Sequence, residues 1–146
     1  MMGSVLAALM IDVVLTVGGV SYTAKAAGEC NYSAESTIFE LPATMWAARQ
    51  HEGNRSVNFT LWHPKKAGEK GSGDMMTLFV TIGNKTHRVN TVRVGSHADV
   101  QGSGQATFEQ SGAGGIFTIE AIADTGAKIS GRISCSGFVK PEDNGD

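Results

Sequence analysis

Charge is scarce in this sequence. Asp, Glu, Lys and Arg make up 18% of the 146 residues, against roughly a quarter in an average globular protein. The formal balance is only −2. A nucleic-acid partner would call for a basic excess, so none is expected. Helical periodicity is missing beyond the first 26 residues. Nucleophile-elbow (Gly-x-Ser-x-Gly) and zinc-helix (His-Glu-x-x-His) motifs are absent too, which removes two common hydrolase signatures. Gly102-Ser103-Gly104 and Gly112–Gly115 lack the strand–loop–helix setting of a phosphate loop and read as turns. Ser96, His97 and Asp99 stand close together, but adjacency in sequence is not triad geometry. The chain is expected to be no enzyme and to carry no cofactor.

Cysteine is limited to Cys30 and Cys135. Two cysteines in an exported chain read as one disulfide. Closing so long a loop stabilises by about 4–5 kcal/mol in the chain-entropy model. The compartment is then oxidising: secreted, periplasmic or at the cell surface.

Residues 1–26 read as a hydrophobic helix, either a signal peptide cut after Ala26 or a retained membrane anchor. Ala24-Lys25-Ala26 has the small-x-small form of a cleavage site. The expected organisation is therefore a signal or anchor over 1–26, one all-β domain over 27–139 and a disordered acidic tail over 140–146. A membrane contact is expected only through the N-terminal segment.

Glycine is abundant, at 19 residues. The mature part alternates with period two almost throughout. Ile129, Gly131, Ile133 and Cys135 share one face of a strand, and Lys128, Ser130, Arg132 and Ser134 share the other. Ile116 to Ala123 forms its hairpin partner across Asp124-Thr125-Gly126. Upstream, Met76–Ile82 pairs with His87–Val94 across Gly83-Asn84. Ser56–Trp62, Thr37–Leu41 and Gln105–Glu109 are further strands. Ala43–His51 fits a short helix or an irregular strand. The expectation is an antiparallel β-sandwich, or a small barrel, of seven or eight strands.

Candidate contacts cluster after one strand. Residues 63–74 form a long polar, Gly-rich connection, and binding residues concentrate on such loops. With the adjacent Trp62 it offers His63, Lys65, Lys66 and Lys70 as binding residues. His51, His63, His87 and His97 are metal candidates, although no two have ligand spacing. Asn31, Asn54, Asn58 and Asn84 head Asn-x-Ser/Thr sequons and are candidate glycosylation sites.

Three C-terminal runs carry a resemblance. They are Gly102 to Phe108, Gly115 to Ala121 and Ile129 to Phe138. Together they resemble the ending of small exported bacterial β-domains, and are similar to the mycobacterial 19-kilodalton lipoprotein antigen family. That resemblance implies export and an all-β fold. It brings no catalytic residues. The chain departs from the family in having Glu29 where lipid attachment to the next cysteine needs a small residue.

The expected function is an exported, non-catalytic binding or surface-structural module for a protein or cell-envelope ligand. The alternatives are a periplasmic metal- or haem-binding protein using His and Met, and a secreted hydrolase inhibitor with the 63–74 loop as bait.

Overall fold

The computed structural model describes residues 9–65 and 74–139. The expected acidic tail, Lys66 and Lys70 lie outside them. Nine strands follow in chain order: β1 (Leu9–Val17), β2 (Val20–Ile38), β3 (Leu41–Glu52), β4 (Arg55–Pro64), β5 (Met75–Ile82), β6 (Lys85–Asn90), β7 (Ser103–Ser111), β8 (Gly114–Ile122) and β9 (Lys128–Cys135). All pairings are antiparallel, in the order β6-β5-β4-β3-β2-β1-β9-β8-β7. The sheet curls into a half-barrel. Its two inner faces meet where Phe59 of β4 packs edge-on against Phe117 of β8, with ring centroids 5.1 Å apart.

The N-terminal helix expected over 1–26 is not what residues 9–26 form. They build β1 and the first part of β2. Ile11, Val13, Leu15 and Val17 are 0–2% exposed in the main core. Asp12, which interrupts the apolar run, falls on the opposite face at period two. Gly18 and Gly19, both with positive φ, close the β1–β2 turn. β1 lies between β2 and β9, so it is a central strand and reads as a near-continuous apolar run. Burying its four inward side chains is worth roughly 6–12 kcal/mol gross, which is comparable to a domain's whole stability. The expected boundary at 26/27 falls inside β2, and cleavage there would remove β1. Strand number also exceeds the expected seven or eight, because of β1, β2 and the unbroken β3 over Ala43–His51.

β2 changes partner midway. Val20–Gly28 pair with β1, and Glu29–Ile38 with β3. Beyond β9 the chain passes the start of β1, where the Ser136 amide donates to the Met10 carbonyl at 3.1 Å. Val139 then pairs with Asn31. The Cys30–Cys135 disulfide forms here, with Cα atoms 6.3 Å apart, and ties β2 to β9 where β1 begins. Both cysteines are buried.

The open sides of β6 and β7 are joined at one end. Asn90 and Gln101 exchange backbone hydrogen bonds at 2.8 and 3.0 Å. Asp124, in the β8–β9 turn, accepts from the Arg88 amide at 2.9 Å and donates its own amide to the Arg88 carbonyl at 2.8 Å. Residues 91–102 therefore form a connection anchored at both ends.

Candidate ligand cleft

Among the described residues, the β2–β3 turn is where non-glycine residues take positive φ. Ile38 pairs with Leu41, leaving Phe39 and Glu40 as a two-residue turn. Both have positive φ, 47° and 70°. Such turns favour Asn and Gly because other L-residues clash in this region. The sequence expectation of a continuous strand over Thr37–Leu41 is corrected on this point: no Gly, Asn, Asp or Pro marks the turn.

Phe39 is 54% exposed, yet its ring lies flat on His97, with centroids 3.9 Å apart. That stack joins the hairpin tip to the 91–102 connection. Beneath both lies a second hydrophobic cluster of Ile38, Ala43, Met75 and Val92, with Trp62 packed on it. Trp62 alternates away from the buried Val57, Phe59 and Leu61 on β4. This small core therefore sits on the outer face of the sheet, under a long connection, where satellite cores form.

A cleft of about 360 Å³ opens between these elements. Ile38, Trp62 and Val92 give it an apolar floor, and Phe39 with His97 forms a wall. Asn90 is committed to the scaffold: its Oδ1 accepts from the Val92 amide at 2.9 Å and its Nδ2 donates to the Asp99 carbonyl at 3.1 Å. Thr77, His97 and Asp99 also line the cleft. Among the described residues, none of these three side chains makes a hydrogen bond of its own. The site thus combines an apolar floor with three uncommitted polar groups.

The remaining sequence candidates are placed elsewhere. His63 donates or accepts at 2.6 Å with Asp74, closing the base of the 63–74 connection. Lys65 pairs with Glu35 at 2.9 Å. Among the described residues, Trp62 alone of the expected binding residues lines the cleft. The four histidines occupy four environments. His51 lies in a shallow polar depression with Glu29, Arg49 and Asn58. His87 points into the core and bonds Thr125 at 2.6 Å, pinning the β8–β9 turn. Among the described residues, no group of three His, Cys, Asp or Glu side chains could hold a metal ion. The histidines are therefore not gathered as a shared site requires.

Of the four sequons, Asn54 and Asn84 are exposed at neighbouring hairpin tips, joined by a Gly83 amide to Asn54 carbonyl bond of 2.9 Å. Asn58 is exposed on the outer face, and Asn31 is half-buried beside Val139.

A second concavity of about 400 Å³ lies at the end of the main core, among Tyr32, Trp46, Phe108 and Phe138. These rings contact one another at centroid distances of 5.1 to 6.4 Å. They extend the core, and no ionisable group other than the Tyr32 phenol lines the concavity.

No family model, no curated protein and no solved structure matches this chain. The class that fold and site define is an all-β, disulfide-linked half-barrel with an apolar cleft on its outer face.

Proposed function

We propose that this protein is an exported, non-catalytic module that binds a small ligand or a protruding group of a larger one in the Trp62 cleft. The observation that carries this reading is the Phe39–Glu40 turn. Two non-glycine residues in the left-handed region cost of order 1–3 kcal/mol each. Their side effect is to hold an exposed aromatic ring over an apolar cleft. Such strain concentrates at ligand-contacting positions. The cleft volume is at the small end of the range for ligand sites.

The export part rests on the buried disulfide, which is consistent with an oxidising compartment. The apolar N-terminal segment no longer supports it, because residues 9–26 are used in the sheet. The faint likeness to small exported bacterial β-domains points the same way as the disulfide.

The test is chemical-shift mapping of the labelled protein against a chemically mixed fragment library. Shifts concentrated on Phe39, Trp62, His97 and Asp99 are the expected result. Shifts confined to the aromatic concavity around Trp46, or scattered over the surface, would overturn it.

A further inference from the structure

We infer that the ligand of the Trp62 cleft is an uncharged saccharide. This rests on the reading of the cleft as a binding site and adds the chemistry of the occupant. A purely apolar ligand would bury Thr77, His97 and Asp99 without partners, which is unfavourable for each. An anionic ligand would meet the Asp99 carboxylate, and no Lys or Arg lines the cleft to offset it. A cationic ligand would satisfy Asp99 and leave the Thr77 hydroxyl and the His97 ring nitrogens unused. A pyranose presents an apolar face of C–H groups and an edge of hydroxyls. The face suits the indole of Trp62 and the Phe39 ring. The edge supplies hydroxyl donors to the Asp99 carboxylate, and both donors and acceptors to Thr77 and His97. Hydrogen bonds to the ionised Asp99 would be the strongest in the set. The cleft, about 360 Å³, has room for one or two sugar rings, so the natural target is a terminal residue of a glycan.

The experiment is titration of the labelled intact protein with maltose, cellobiose and chitobiose, followed by amide shifts and Trp fluorescence. A neutral apolar dye, N-phenyl-1-naphthylamine, serves as the contrasting probe. At least one disaccharide should give saturable shifts at Phe39, Thr77, His97 and Asp99. Asp99→Asn should weaken that binding about tenfold, the loss of charge-assisted hydrogen bonding, with the rest of the spectrum unchanged. Trp62→Ala should abolish it, and Trp62→Phe, which keeps an aromatic floor and the fold, should weaken it. Three results overturn the inference. Shifts at the cleft with the dye but with no disaccharide would refute the saccharide while leaving the cleft a binding site. Silence of the cleft towards every probe would refute both. Sugar binding unchanged in Asp99→Asn and Trp62→Phe would place the sugar elsewhere.

Discussion

Replacing Phe39–Glu40 with Asn–Gly should make the protein more stable and worse at binding. Both residues sit at positive φ, 47° and 70°. The left-handed region costs an ordinary L-residue about 1–2 kcal/mol, so relief at both positions gives about 2–4 kcal/mol. Two terms oppose it. Losing the ring stack on His97 costs about 0.5–1.5 kcal/mol, the usual worth of an aromatic pair. The glycine adds unfolded-state entropy worth about 0.5–1 kcal/mol. The net expectation is about 1–2 kcal/mol of stabilisation. At about 4 °C per kcal/mol for a chain of this length, Tm should rise by roughly 4–8 °C. Reversible thermal melts followed by far-UV circular dichroism measure this, with urea midpoints as the isothermal check. Glu40→Gly alone separates the terms, since it leaves the Phe39–His97 stack in place. It should raise Tm by a few degrees and keep binding. A fall in Tm for Glu40→Gly would refute the strain argument, because Glu40 is exposed and, among the described residues, its side chain makes no hydrogen bond or ion pair that offsets the relief.

Other perturbations read other parts of the structure. Cys30→Ala with Cys135→Ala should lower stability by about 4–5 kcal/mol, seen as a drop in urea midpoint; an unchanged midpoint would show that the bond constrains little. Gly131→Ala should cost at least about 2 kcal/mol, because a Cβ there would stand 2.0 Å from the Val14 carbonyl oxygen at a φ of 137°; a variant as stable as the parent would contradict the close β1–β9 approach. Tyr22 is 0% exposed, and its hydroxyl donates to Gln50 Oε1 at 2.7 Å, so Tyr22→Phe should cost about 1–3 kcal/mol in the same assay by leaving a buried acceptor unpaired. Burial raises the Tyr22 phenol pKa above its ordinary range, with Arg55 opposing and Glu52 reinforcing. The native state therefore holds this proton more tightly than the unfolded chain. Its contribution is complete below the unfolded phenol value near 10 and is lost as pH rises through the folded value. In a variant that exposes the ring the folded and unfolded values converge, so this alkaline fall in stability should flatten in urea midpoints taken across the alkaline range.

The strands with one wet face were legible in the sequence. Lys128–Cys135 and Ile116–Ile122 alternate cleanly because β8 and β9 bury one side. Gly126 marks the turn between them with a φ of 88°. Cysteine pairing was legible from count alone. β1 was not, because a central strand and an export segment share the same near-continuous apolar composition. Its period-two placement of Asp12 and Thr16, and the Gly18-Gly19 turn, were the available signals. Ala43–His51 hid its strand character because Ala47 and Ala48 are both buried although they lie on opposite faces of β3, which breaks the period-two pattern. The cleft was legible only at Trp62 and, as a metal candidate, at His97. Its other walls come from a turn without turn residues and from a connection whose position depends on the Asn90–Gln101 and Asp124–Arg88 hydrogen bonds. Neither is a local property of the chain.

Both the half-barrel and the disulfide's setting require residues 9–26 to be part of the folded sheet. Amide hydrogen exchange on the intact protein tests this. The amides of Ile11 to Leu15 should exchange as slowly as those of Phe117 to Ile119 and Ile129 to Ile133, through opening of the whole domain. Exchange of Ile11 to Leu15 on the timescale of an unstructured peptide, with β8 and β9 still protected, would contradict it.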